Sequence, residues 1–179
     1  MKNIFRFICV LGICIGIGWF ACAGDGFSFH HLSGSDVYGS DVIQTKDSNV
    51  TVSKDKAETL LNLAKSKLGD RYKFAATGPN HFDCSGFVYY VFKENGIQIP
   101  RASLEQSKAG EKLERNALKK GDILFFDTSK KGHVNHSGIY LGEGMFIHSS
   151  SGKAYGVTIS KLDKGFYKDN FRWGIRKLP

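Results

Sequence analysis

The apolar pattern of this chain changes period once, and that change fixes the class of fold open to it. Up to Gly96, apolar residues recur at helical spacing: Ala57, Leu60, Leu61, Ala64 and Leu68, then Phe87, Val88, Val91 and Phe92. Ser53 is the expected N-cap of the first helix, Asp55 and Glu58 lie in its first turns, and Gly69 is its stop. The second helix is expected to end at Gly96. From Gly121 onward the apolar residues come in short runs of strand type: "GDILFFDT", "HSGIYLG", "MFIHSS", "GVTIS" and "RWGIRKL". Helices first and strands afterwards predict an α+β domain with its helices packed on an antiparallel sheet.

The ends of that domain follow from composition. Lys2 and Arg6 precede an apolar stretch, Phe7 to Phe20, and "ACA" (Ala21–Ala23) follows with small residues, so residues 1–23 read as a secretory signal. Cys22 opens a second route, a lipoprotein signal ending before it and a lipid anchor on its sulfur, although Trp19 and Phe20 fit that pattern poorly. Residues 24–53, rich in Gly, Ser and Asp, read as a flexible tether with a short strand near Asn49–Val52. Residues 54–179 form the expected domain. They carry 22 Lys and Arg against 13 Asp and Glu, a net +9, which suits an anionic cell-wall polymer or a membrane surface. No nucleic-acid motif accompanies the charge, so nucleic acid is not an expected partner. The expectation is an exported protein of the periplasm or cell envelope, either free or anchored through Cys22, and monomeric.

Cleavage after Ala23 would leave Cys84 as the one cysteine of the mature chain, with no disulfide open to it. It stands in "FDCSGF", at the start of the second helix, where unpaired backbone N–H groups and the helix dipole favour thiolate and lower the pKa. Asp83 is placed to cap that helix. A thiol nucleophile needs a base, and His136 and His148 lie on consecutive strands. A three-residue loop, Gly142–Gly144, would pair Leu141 with Met145 and set Gly138 opposite His148. His136 would then be diagonal to His148 on one sheet face, as base and orienting partner. A two-residue loop would put the two on opposite faces. His133 and His81 read as loop residues, and the Cys and His spacings match no standard zinc pattern, so neither metal nor organic cofactor is expected.

The stretches "FDCSGFVYYVFKENGIQIPRASLEQSKAG", "LKKGDILFFD", "HSGIYLGEGMFIHSSS" and "YGVTIS" together resemble the NlpC-type papain-like cysteine peptidases of bacterial cell walls, over about residues 57–178. The resemblance implies Cys84 as nucleophile, His136 as base and His148 as third residue. It also implies that Tyr72 lines the cleft, that Asp83 and Ser85 hold the stem peptide, and that Arg101 belongs to a "PR" segment with a substrate-binding or ion-pair role. The implied activity is cleavage of peptidoglycan stem or cross-link peptides. Where the family has Gly-Gly after an aromatic, this chain has Ala75 and Ala76 after Phe74, which restricts that lip of the cleft.

Overall fold

The computed structural model describes residues 46–179, with side chains from residue 56 onward. The expected leader and the tether as far as residue 45 lie outside them.

Helix α1 spans Lys46–Ser66, so it begins seven residues ahead of the expected Ser53. The strand expected near Asn49–Val52 is helix instead, and the last eight residues of the expected tether belong to this helix. A four-residue extended segment needs a partner strand and finds none among the described residues, whereas a nucleated helix lengthens at one hydrogen bond per residue. Gly69 closes the helix end at φ +87°. Helix α2 spans Cys84–Glu94 and is capped at its far end by Asn95, with Gly96 at φ +73° beyond it. Two short helices, α3 (Ser103–Gln106) and α4 (Gly165–Asn170), are the other α-helices among the described residues.

Among the described residues seven strands form one mixed sheet in the order β2-β1-β6-β5-β4-β3-β7. They are β1 (Arg71–Tyr72), β2 (His81–Phe82), β3 (Ile123–Phe126), β4 (His136–Gly142), β5 (Met145–Ser150), β6 (Gly156–Lys161) and β7 (Phe171–Ile175). Pairing is antiparallel from β1 through to β7, as expected, and only the two-residue edge pair β1 and β2 runs parallel, which makes the sheet mixed. Two-residue strands show no period in sequence, so β1 and β2 could not be read from it.

Each face of the sheet carries apolar cover. Ile123, Phe125, Ile139 and Ile147 pack with Leu60, Leu61, Phe87, Val91 and Phe92 of α1 and α2. Leu124, Phe126, Phe146 and Leu162 cluster on the other side with Tyr167 and Phe171. All four residues of β3 are buried, which is why "ILFF" lacks the alternation of a half-exposed strand.

The β4–β5 hairpin keeps the expected register by a different route. Ile139 pairs with Ile147 and Tyr140 with Phe146, which continues to Gly138 opposite His148 as expected. Leu141 does not pair with Met145, however. Gly142 does, and the turn between them is the two residues Glu143 and Gly144 at φ +53° and +68°. An irregularity between Tyr140 and Gly142 absorbs Leu141 as an extra residue, a bulge. That extra residue restores the phase a two-residue turn would have lost, so the two histidines stay on one face.

Candidate active site

The site is assembled where the start of α2 meets the start of β4. Asp83, at φ −86° and ψ −179°, is the N-cap of α2, and its Oδ1 accepts the Gly86 N–H at 2.7 Å. Cys84 is therefore the first residue of a helix whose entry is pinned. Its Sγ donates to the Asn135 carbonyl over 3.8 Å, and the Ser137 N–H points at the sulfur. The thiol thus lies against the backbone on either side of His136.

The expected lowering of the Cys84 pKa does not hold in this resting geometry. Burial raises it above its ordinary value, and the nearby Asp83 carboxylate raises it further. The N–H groups of Ser85, Ser137 and Cys84 act in the opposite sense but are outweighed. His136 is pushed down to about 4 by burial, and His148 well below the ordinary value by burial and then by its neighbour His136. These shifts favour the uncharged forms, a thiol at Cys84 and neutral imidazoles at His136 and His148.

The two histidines are brought together as the hairpin argument required. His136 Nε2 and His148 Nδ1 are 2.9 Å apart. His148 Nε2 lies 2.9 Å from Ser160 Oγ on β6. Aromatic rings enclose the pair: Phe146 stacks on His148 with centroids 4.7 Å apart, and Phe126 lies 5.9 Å from His136. Tyr167 of α4 stacks on His136 at 6.0 Å and meets His148 edge-on at 5.0 Å. This apolar box is what strips water from the imidazoles. Sequence reasoning missed Ser160 and Tyr167, since neither sits in a polar cluster and only strand pairing and α4 carry them to the histidines.

Arg101, Asp83 and Ser85 form one network. Arg101 donates to Asp83 Oδ2 at 2.5 Å and to Ser85 Oγ at 2.9 Å, and it reaches the Ala76 carbonyl at 3.4 Å. Asp83 and Ser85 are buried, while the Arg101 side chain is about one-third exposed. Tyr72 is half-buried, 5.8 Å from the Tyr155 ring, and its hydroxyl pKa is raised by burial and then by Cys84 and Asp83. Phe74 is 84% exposed, and Ala75 takes φ +60°. An alanine thus occupies, at a steric cost of about 1 kcal/mol, a left-handed position that glycine would fill without strain. His133 is an exposed loop residue and His81 an exposed residue of β2.

Gln106 is a further component that sequence reasoning did not single out. Fully buried, it donates to the carbonyls of Ser85 and Pro100 at 3.1 and 2.9 Å and accepts from Ser137 Oγ at 3.1 Å. It therefore ties the Cys84 turn to the strand that carries His136. Gln106→Met keeps the volume but orphans buried polar groups on both elements. It is expected to cost about 1–3 kcal/mol in urea unfolding, and a loss under about 0.5 kcal/mol would refute this role.

A thiol at a helix start, set against a strand that carries one of two hydrogen-bonded imidazoles on an α+β frame, defines a papain-like domain. The family model described as the NlpC/P60 family matches residues 69–176, and the chain belongs to that family. It is 39% identical over 124 residues to a gamma-D-glutamyl-L-lysine dipeptidyl-peptidase of Bacillus cereus, covering 69% of this chain but only 37% of that protein. It is 30% identical over 146 residues to the Escherichia coli protein named murein DD-endopeptidase MepS/murein LD-carboxypeptidase, covering 81% of this chain and 76% of the relative. Among solved structures, an NlpC/P60 family protein from Bacillus cereus matches with a TM-score of 0.65 and 39% identity, over 69% of this chain and 40% of that one.

Proposed function

We propose that the protein is a cysteine endopeptidase that hydrolyses peptide bonds in the stem or cross-link peptides of peptidoglycan, acting outside the cytoplasm after export. The observation that carries this reading is the Cys84 thiol resting on the backbone that flanks His136, whose Nε2 is occupied by His148. With Nε2 committed, Nδ1 is the nitrogen left to take the thiol proton. Cys84 then attacks the scissile carbonyl, and the backbone N–H groups that surround the sulfur are suited to the resulting oxyanion. Collapse expels the amine, which takes its proton from His136, and water hydrolyses the thioester to regenerate the thiol. The proposed steps use side chains and backbone groups of the domain and the attacking water, and call for no cofactor.

Tyr72, Asp83, Ser85 and Arg101 are the proposed peptide-binding groups. The bond between D-glutamate and the diamino acid is the first choice, in line with the name of the Bacillus cereus relative, and the diamino acid–D-alanine cross-link is the second. The positive charge of residues 54–179 draws the domain to its anionic substrate.

The test is to incubate the full chain and its Cys84→Ala variant with peptidoglycan and identify the products by mass spectrometry. New peptide termini are expected from the parent chain only, reduced at least about a thousandfold in the variant, and their masses name the bond. Equal products from both would sink Cys84 as nucleophile. Binding without products from either would favour a non-hydrolytic wall-binding protein, and transfer to an added amine would mark an acyltransferase.

A further inference from the structure

The hydrogen-bond line that starts at His136 does not stop at His148. It crosses three neighbouring strands, from His136 on β4 to His148 on β5 to Ser160 on β6, with both links 2.9 Å long. The strand pairing builds it: Phe146 lies opposite Ser160 and His148 opposite Thr158, so Ser160 is the diagonal neighbour of His148 on the same face.

Proton accounting assigns each member a state. One proton lies between His136 Nε2 and His148 Nδ1. If His148 donates it, a neutral His136 carries its own proton on Nδ1 and cannot accept another there. If His136 donates it, Nδ1 of His136 is bare, and His148 must hold its proton on Nε2, facing Ser160. Once His136 has taken the thiol proton, both its nitrogens carry hydrogen and only the second arrangement survives. The buried His148 Nε2–H then needs an acceptor, and Ser160 Oγ is there.

The geometry points to Ser160 as a positioning residue for the reaction: its hydroxyl accepts the His148 Nε2 proton, keeps His148 Nδ1 bare, and so holds His136 Nδ1 open to the Cys84 proton. The inference rests on the reading of His136 as the base. The titratable groups packed against His148 are His136 on β4 and Tyr167 on α4. Ser160 is half-buried, so its own proton is free to turn toward solvent.

The experiment alkylates the full chain with iodoacetamide across a pH series and follows the peptide that carries Cys84, for the parent chain, Ser160→Ala and Ser160→Thr. Histidine ring nitrogen-15 spectra of the parent chain report the tautomer directly. Alkylation at neutral pH is expected to fall about tenfold in Ser160→Ala and to stay within about twofold in Ser160→Thr, with the His148 proton on Nε2 in the parent chain. Parent-like alkylation of Ser160→Ala, an equal loss in both variants, or a proton on His148 Nδ1 would each overturn the assignment. Should Ser160→Ala fail to fold, the parent tautomer decides. Alkylation needs no peptidoglycan, so a chain that passes this test yet leaves peptidoglycan uncut would overturn the hydrolytic reading and not the role of Ser160.

Discussion

Acidification from pH 6.5 to 4 is expected to remove about 3 kcal/mol of folding stability through His136 alone, a large fraction of what a domain of this size holds. The sign follows from burial. Folded His136 stays neutral down to about pH 4, while the unfolded chain takes up a proton on the same residue near 6.5. Between these values the unfolded state binds more protons, so the contribution is complete above 6.5 and lost as pH falls toward 4. His148, also held neutral by burial, acts in the same direction. Asp127 works in a lower window. Its buried carboxylate is held down to about 2, first by Arg172 and then by the N–H groups of Lys131 and Gly132, against the cost of its burial. Its contribution is full above the ordinary carboxylate value and is lost as pH falls from there to about 2.

Urea unfolding at a series of pH values separates the two windows. A change below about 1 kcal/mol between pH 7 and 4.5 would mean that water reaches the imidazoles and that the aromatic box of Phe126, Phe146 and Tyr167 is open. The His136→Gln variant should flatten the slope in the upper window and leave the Asp127 window unchanged. Hydrolysis by the proposed mechanism should keep to the same limits, since the proposed base, His136, gains its proton near pH 4 rather than 6.5.

What the sequence could and could not tell divides along a physical line. Features fixed by local chemistry were legible: the Asp83 cap, the cysteine at the helix start, and the apolar faces of α1 and α2. The common face of His136 and His148 was legible only conditionally, because it depended on loop length, and a bulge supplied the phase that the turn did not. The thiol's protonation was misread. The helix-start argument weighed the N–H groups around the sulfur and could not weigh desolvation, which depends on what the rest of the chain lays over the site. Gln106, Ser160 and Tyr167 escaped for the same reason. Each matters through a partner more than ten residues away in the chain, and nothing in their own neighbourhood marks them.

The glycine of "DCSG" admits a second large prediction, because its reason for being there is spatial. A Cβ built on Gly86 would stand 2.1 Å from the Ala76 carbonyl oxygen and 2.9 Å from Asp83 Oδ1. The first of these is backbone and cannot turn aside. The same carbonyl accepts the Asp83 N–H at 3.0 Å and is reached by Arg101, so it is one of the points that fasten the loop bearing Phe74 and Ala75 to the start of α2. Gly86→Ala must either push that loop away and break the Asp83 bond, or displace the first turn of α2 and Cys84 with it. The expected result is a loss of about 1–3 kcal/mol in unfolding and a fall of about a hundredfold in hydrolysis of peptidoglycan. Gly96, just past the other end of the same helix, supplies the control. Its Cβ would meet nothing within 4 Å, but its φ of +73° disfavours any side chain. Gly96→Ala should therefore cost about 1 kcal/mol and leave the rate unchanged. Were Gly86→Ala to keep full activity, the close approach of Ala76 to α2 would not be what holds the thiol in place, and the positioning of Cys84 would have to come from Gln106 and the Asn135–Ser137 backbone alone.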